Sequence, residues 1–422
     1  MGNSSKNNKC LANVPITLPM FDGNEEREVC EVLRSGWVVQ GPKVAEFEKK
    51  FASFVNAPNA IAVSSCTTGL HLALRVMGIG PGDEVLLPSF TFVATANSVE
   101  YTGAKPVFID IDPWTFNVNP VSVSVYLNKL KSAGQKLPKA IIPVSLFGLC
   151  ADMESINEIA RKYNLIVIED AACGMGATRA GNHAGNEADM AVFSFHPRQA
   201  ITTGEGGMII TKDNDIADKL RVMRNHGASE SDIERHIAEG GSLLPEFNSL
   251  GYNYRMTDLQ GAVGVAQMEK AREIFENRRR AAARYDYFLQ DIKGIETPYL
   301  PDGYNHAYQS YVCMYKFNAM TGDRYINWDT IENWNTERNR LMKGLQEQGI
   351  AARQGTHAVH TLGYYKDKYG YEDHDFPYSY IADRLSIALP IFPQITSGQQ
   401  GLVVDILNTI VRGLISIGGK KF

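Results

Sequence analysis

The sequence predicts an α/β fold built on a mainly parallel sheet, and three features carry that expectation. Between Asn59 and Thr211, short apolar runs alternate with amphipathic stretches, the pattern of strands joined by crossover helices. Several runs, such as Glu84–Leu87 and Leu165–Glu169, are near-continuous in Val, Ile and Leu, as strands buried on both faces require. Beyond Pro298 the alternation stops, which marks a second, smaller α+β unit.

Taken in order, residues 1–15 are polar and are expected to form a flexible tail. Asn24–Ser35 and Pro42–Phe54 read as amphipathic helices, the second with proline in its first turn. The expected strands are Ala60–Val63, Glu84–Leu87, Pro106–Ile111, Ala140–Val144, Leu165–Glu169, Met190–Phe195 and Met208–Thr211, which make a seven-stranded sheet. Helical patterns separate the earlier ones: Thr67–Met77, Phe92–Tyr101, Val121–Leu130 and Asp152–Tyr163, with another over Ile216–Asn225. Residues 229–250 read as an irregular excursion. Thr257 caps a helical stretch through Met268, and helical character continues to about Leu289. The smaller unit offers a strand over Tyr311–Phe317, a helix over Asn335–Gln348, an irregular aromatic tract over Gln354–Tyr380 and a last helix over Ser397–Leu414. The expected division is therefore a tail over 1–15, a large unit over 16–280 and a small unit over 281–422.

At 422 residues with a net charge of −5, the chain has the composition of a soluble globular protein. It shows no basic stripe that would suit nucleic acid and no apolar run of the roughly 18–20 residues needed to span a membrane. The start, MGNSSKNNK, lacks the apolar core of a signal peptide, and Lys6 breaks the myristoylation pattern. The six cysteines are scattered without a Cys-x-x-Cys pair, which predicts free thiols and a cytoplasmic protein.

Chemistry concentrates at the strand ends, where open α/β sheets bind their ligands. The strand Ile166-Val167-Ile168-Glu169 runs into Asp170-Ala171-Ala172-Cys173; an acid there is either a helix cap or a functional carboxylate. Ser64-Ser65-Cys66-Thr67-Thr68-Gly69 joins a strand to a helix, which makes either an ordinary N-cap or an anion site. Phe92 follows another strand and reads as core packing or as a ring platform. Gly251-Tyr252-Asn253-Tyr254-Arg255-Met256-Thr257-Asp258 reads as a capped helix start. Met190–Thr211 holds two apolar strands joined by a loop containing Thr202-Thr203-Gly204-Glu205-Gly206-Gly207, dense enough in glycine to allow positive φ and close backbone approach. This loop precedes a strand and so is not a dinucleotide fingerprint. A metal site from His357, His360 and His374 would need a helix that Gly355 and Gly363 discourage, so no metal is expected.

These motifs, in this order over about residues 16–415, resemble the DegT/DnrJ/EryC1/StrS family of pyridoxal phosphate (PLP)-dependent sugar aminotransferases. The closest wording is Phe193-Ser194-Phe195 followed by Gly204-Glu205-Gly206-Gly207. The resemblance implies an aspartate-aminotransferase-like (fold type I) architecture. It implies that Asp170 faces the pyridine nitrogen, that Phe92 stacks on the ring, and that Cys173 lies beside it. It puts the cofactor phosphate at Cys66, Thr67 and Ser194, joined by Asn253 of a neighbouring subunit, and hence implies a homodimer with shared active sites. It places His360 and His357 in the substrate segment. The implied partners are L-glutamate as amino donor and a nucleotide-linked keto sugar as acceptor, in surface-polysaccharide, antibiotic or amino-sugar biosynthesis.

One position departs from the pattern. Where the family has the lysine that binds the cofactor covalently, this chain has Gln199. A primary amide has no basic lone pair; it can neither condense with an aldehyde nor carry a proton. Three readings follow: an aminotransferase disabled by loss of the lysine, with cofactor still bound; a pyridoxamine phosphate (PMP)-dependent keto-sugar 3-dehydratase, a reaction that dispenses with lysine but in known relatives uses histidine; or a non-catalytic sugar-nucleotide binder. The flanks, His196-Pro197-Arg198 and Thr202–Gly207, are those of the aminotransferases and favour the first.

Overall fold

A computed structural model describes residues 13–228, 246–317 and 326–418, with side chains to residue 414. The excursion expected over 229–250 lies outside the described residues up to 245.

Seven strands form the central sheet: β1 (Asn59–Val63), β2 (Glu84–Pro88), β3 (Lys105–Ile109), β4 (Ala140–Ile141), β5 (Ile166–Asp170), β6 (Met190–Ser194) and β7 (Gly207–Thr211). Their spatial order is β1-β7-β6-β5-β4-β2-β3. β7 pairs antiparallel with β1 and β6, and the remaining pairs are parallel, so the expected mainly parallel sheet is present. β4 is shorter than expected because Pro143 has no N–H to give the ladder; it accepts from Asp170 N–H at 2.9 Å instead.

Successive residues of each strand face opposite layers. Ala60 and Ala62 join Met208 and Ile210 in a core closed by α2 (Pro42–Val55) and α8 (Asp258–Glu269). Ile61, Val63 and Ile209 turn the other way, onto α3 (Cys66–Val76), α4 (Val93–Tyr101) and α7 (Asn214–Arg224). The pairs α5 (Pro120–Ser132) and α6 (Met153–Tyr163) cover β4 and its neighbours through Val123, Leu127 and Ile156. With α1 (Gly23–Ser35) packed beside α8, the sheet is buried on both faces, which is why its strands read as continuous apolar runs.

The C-terminal part has its own antiparallel sheet, β8 (Ile295–Glu296), β9 (Tyr311–Tyr315) and β10 (Ser386–Leu389), in that order. α9 (Ala271–Leu289), α10 (Trp328–Glu347) and α13 (Ser397–Gly418) pack around it through Tyr285, Leu345 and Leu407. Val14, in the stretch expected to be loose, is 2% exposed and joins this core, bonding to Gly349 and Ala351 through its backbone. Arg278 of α9, 1% exposed, donates to the carbonyls of Tyr308, Gln309 and Ile391 and to Thr17 Oγ1. It ties four separate segments together without a carboxylate partner among the described residues, and burial pulls its pKa down to about 10.

The helix expected from Thr257 through Met268 is α8, and Lys270, whose ammonium meets Glu25 at 2.7 Å and Asp22 at 3.0 Å, separates it from α9. Two expectations shift in register or kind. α10 starts at Trp328 rather than Asn335 because Asn327 caps it through Thr330 N–H. The tract over 354–380 is ordered by tertiary contact into α11 (Gly363–Tyr369), the start of α12 (Pro377–Leu385), and a short strand, His357–Ala358, paired with Phe90–Thr91.

Candidate functional site

β5 delivers Asp170 to the carboxyl end of the sheet, 5% exposed. Its Oδ2 accepts from Thr95 Oγ1 at 2.7 Å and its Oδ1 from Ala172 N–H at 3.1 Å, with the Cys66 thiol 4.0 Å away. Burial raises the carboxyl's pKa, and these donors oppose the rise. A carboxylate desolvated to this degree, among donors that are all neutral, is a strong partner for a cationic N–H.

Beside it, Ser65 caps α3 with a capping box to Thr68. The cap satisfies Thr68 N–H and leaves Cys66 and Thr67 N–H among the first-turn donors that a helix cannot use itself. The glycine-rich loop comes up against this helix end. Gly204 has φ +84°, and Gly207 opens β7 between Val63 and Ser194. A Cβ on Gly207 would lie 2.6 Å from Ser65 C and 2.7 Å from Cys66 N. We expect Gly207→Ala to cost about 1–3 kcal/mol, read as a fall in the urea midpoint, and to weaken anion binding by displacing α3; a substitution silent in both measurements would mean that the close approach is not required.

Phe92 caps the start of α4 and is 61% exposed. One turn on, Thr95 makes the Asp170 contact, so a single helix start carries both groups. His357 pairs with Thr91 across the short strand, at the edge of this site; its ring is exposed and 3.8 Å from Asp383. His360 corrects the expectation of a substrate role. It is fully buried, with Nδ1 2.6 Å from Ser89 Oγ and Nε2 3.0 Å from the Asp373 carbonyl. Both ring nitrogens are engaged within the chain, so it pins the C-terminal segment to the end of β2. His374 stacks on Trp328 at 3.8 Å, so the three histidines serve three separate contacts.

Gln199 follows β6 in a turn held by its own N–H to the His196 carbonyl at 2.8 Å and by Gln309 Nε2 to the Arg198 carbonyl at 2.9 Å. Its amide contacts the Cys173 thiol, which burial pushes up to about 12. Gln199 Oε1 is buried and has no hydrogen-bond partner among the described residues. The Cys66 thiol turns to Asp170 and the Val192 carbonyl, Cys173 feels the Asp170 charge, and Ser194 lies opposite Gly207 in the ladder that ends beside α3. The chain does not bring Asn253 to them: its side chain is exposed, in a segment fixed by Ser64 N–H to the Tyr254 carbonyl. Five described cysteines are free thiols, and Cys10 lies outside the described residues.

Sequence reading missed Thr95 and Glu169. Helical spacing from Phe92 could have found the first. Glu169, fully buried on the opposite face of β5, takes a hydrogen bond from Ser145 Oγ at 2.5 Å and from Gly185 N–H at 2.8 Å. Desolvation, then repulsion from Glu187 and Asp170, raises its pKa to about 7. Through Ser145 it fixes the turn at Phe147 (φ 56°) and Gly148 (φ 102°), which reaches Cys173. The native chain keeps a proton that the unfolded chain loses near 4.5, so this group's contribution to stability falls as pH rises between about 4.5 and 7. Glu169→Gln is expected to remove roughly 1–3 kcal/mol of that decline, checked as the difference between the two proteins' urea midpoints at pH 5 and pH 8. Equal pH dependence of the two would sink the assignment.

A buried acid, a helix terminus approached by glycine, hydroxyls and an open aromatic face are what a pyridine ring bearing a phosphate needs. The residues fit PLP as a non-covalent ligand, and Gln199 supplies no amine to bind it covalently. Among the described residues no helix is long and apolar enough to cross a membrane. The model of the DegT/DnrJ/EryC1/StrS aminotransferase family matches residues 19–408. The chain is 37% identical over 400 residues to the spore coat polysaccharide biosynthesis protein SpsC of Bacillus subtilis (strain 168), covering 95% of this chain and 97% of that one. It is 40% identical over 357 residues to GDP-perosamine synthase of Caulobacter vibrioides, covering 83% and 86%. A solved DegT DnrJ EryC1 StrS aminotransferase from Brucella abortus superposes with a TM-score of 0.79 at 30% identity, covering 93% and 95%.

Proposed function

Because this chain belongs to the DegT/DnrJ/EryC1/StrS aminotransferase family, we propose that it is a nucleotide-sugar aminotransferase whose turnover Gln199 has stopped. The family consists of sugar aminotransferases and uses pyridoxal phosphate. The ancestral reaction in this reading moves an amine from L-glutamate to the keto group of a nucleotide-linked sugar, in the cytoplasm. The observation that carries it is the buried Asp170, held by Thr95 at the end of β5 beside the α3 terminus; on this reading Gln199 stands where the family has its lysine.

When bound, the cofactor supplies an electron-withdrawing pyridinium ring. Asp170 holds the ring proton, and Thr95 and Ala172 orient the carboxylate. Cys66 and Thr67 N–H, with the Ser194 hydroxyl, hold the phosphate dianion at the positive end of α3. Phe92 would cover one ring face, and Cys173 would lie beside the ring. Asn253, exposed on its own subunit, reaches the phosphate in the partner, so the active form is a homodimer. Gln199 fills the lysine's volume without its chemistry: it cannot move a proton between the substrate carbon and the ring system.

The test restores lysine at position 199 and supplies PLP, L-glutamate and UDP-, GDP- and dTDP-linked keto sugars. Formation of 2-oxoglutarate and an amino sugar supports the reading. Sugar dehydration by the unaltered protein with PMP, or sugar-nucleotide binding indifferent to cofactor, overturns it. Sedimentation is expected to give a dimer.

A further inference from the structure

We infer that a cavity beyond the Phe147–Gly148 turn is a second binding site, and that it takes an organic cation: an alkylammonium ligand with a short aliphatic body. The inference goes beyond the aminotransferase reading and stands whether or not a cofactor binds at Asp170. Ser145, where this turn begins, donates its N–H to the Asp170 carbonyl. Cys150 and Asp152, past its end, line the cavity, and none of the groups placed around Asp170 does so.

The cavity has a volume of about 590 Å³, within the range of about 300–1,000 Å³ typical of small-molecule sites. Asp112, Trp114 and Asn119 line it from the loop after β3, Asp152 from the start of α6, and Tyr299 and Tyr304 from the stretch after β8. These walls are fixed to one another. Asn117, 3% exposed, donates from Nδ2 to the Leu149 and Cys150 carbonyls at 3.1 and 3.0 Å and accepts from Leu146 N–H at 3.0 Å. It thereby ties the loop after β3 to the one that leads into α6. Tyr304 is held by antiparallel pairing with Arg179.

Two properties of the lining select a cation. The first is aromatic surface. Trp114 is 40% exposed and Tyr299 51%, with ring centroids 6.4 Å apart, and Phe317 braces Trp114 edge-on at 4.9 Å. Such ring faces attract cations and cover aliphatic stems. The second is a surplus of acceptors. Asp112 uses Oδ1 for the N–H groups of Trp114 and Thr115 and for the Thr115 hydroxyl, and Asp152 uses Oδ1 to cap Ser155 N–H. The Oδ2 of each accepts from no described residue, and no Lys or Arg is among the described residues that line the cavity. Arg179, the basic group that the Tyr304 phenol feels, is itself paired with Glu187 at 2.7 Å and Glu154 at 3.1 Å. Burial, then the Asp152 charge, pushes that phenol up to about 12, as expected in a negative field.

An anion is the poorer match. Two helices, α5 and α6, start at this cavity, and helix starts attract anions. Here, however, Asn119 and Asp152 already take Val121 and Ser155 N–H, and Pro120 has no N–H to offer. Two whole carboxylate charges also outweigh two helix ends worth about half a charge each. An alkylammonium that lays its stem on Trp114 and Tyr299 and gives its N–H groups to Asp112 and Asp152 uses every feature of the lining.

The experiment is calorimetric titration of the full-length protein with 1,4-diaminobutane, 1,4-butanediol, glucose and inorganic phosphate. The diol has the same stem without the charges, glucose stands for a neutral sugar ring, and phosphate for an anion. The diamine is expected to bind roughly ten-fold or more tightly than each of the others, the worth of one charge-assisted hydrogen bond. Asp112→Asn and Asp152→Asn keep the oxygen that caps the turn and the helix, and each is expected to weaken the diamine about ten-fold; Trp114→Ala is expected to do the same through the lost ring face. Glu276→Gln, an exposed acid on α9, is expected to change nothing, which separates the cavity from attraction to the chain's net charge of −5. Circular dichroism checks folding, and the two asparagine variants carry the test if Trp114→Ala does not fold. The inference is overturned if the diamine does not bind, if the diol, glucose or phosphate binds as tightly, or if Asp112→Asn and Asp152→Asn weaken the diamine no more than Glu276→Gln does.

Discussion

Gln199→Lys is expected to gain aminotransferase turnover by at least about 10²–10⁴-fold over the unaltered chain, the usual worth of one positioned acid–base group. The structure makes this a local repair. Gln and Lys have similar length, the turn at 199 is fixed by backbone bonds from Gln199 N–H and to the Arg198 carbonyl, and neither bond uses the side chain. Substitution removes the orphaned Oε1 and brings an amine next to Cys173 and Asp170. Burial and the nearby Arg198 and Arg353, both felt electrostatically in this part of the pocket, favour the neutral amine that nucleophilic attack requires. Two measurements check it: a new visible absorption band on adding PLP, and coupled release of 2-oxoglutarate. A band without turnover would place a further defect elsewhere in the site, and neither band nor turnover would exclude position 199 as the point of failure.

In that restored protein, Asp170→Ala is expected to lower turnover by about 10²–10³-fold, the range for removing one preorganised electrostatic partner of the reacting system. The carboxylate is the acidic group held directly by Thr95 and Ala172 at the end of β5. Without it nothing keeps the ring nitrogen protonated. Stability should move the other way or not at all, because a buried carboxyl whose pKa is raised by desolvation costs the fold energy. Asp170→Asn separates the roles further: it keeps the hydrogen-bonding shape for Thr95 and loses the charge. Turnover that falls only in proportion to a loss of thermal stability would show that Asp170 is merely structural.

The two largest effects thus fall on residues found in different ways. Gln199 was legible as a departure: the Phe-Ser-Phe and Gly-Glu-Gly-Gly flanks define the place, and its amide chemistry follows from the residue type. Asp170 was legible as an acid at the end of an apolar run. Thr95 was not, because a threonine in a helix is ordinary until something across the chain needs its hydroxyl. Glu169 was hidden by adjacency: next to Asp170 in sequence, it points to the opposite face of β5, where burial and Ser145 set its properties. Of the two histidines that the resemblance places in the substrate segment, His360 has its ring occupied by Ser89 and the Asp373 carbonyl, and His357 is the exposed one.

The sequence by itself determined the α/β class, the sheet's strands and the family. Each is written in local pattern: apolar runs, glycine spacing, residue type. The tertiary structure decided which groups meet. It seated Lys270, between α8 and α9, on Glu25 and Asp22, ordered the aromatic tract against Phe90–Thr91, buried His360, and left the Gln199 carbonyl without a donor among the described residues. These are contacts between residues far apart in the chain, and desolvation, which sets what a polar atom needs, exists only once the chain has closed around it.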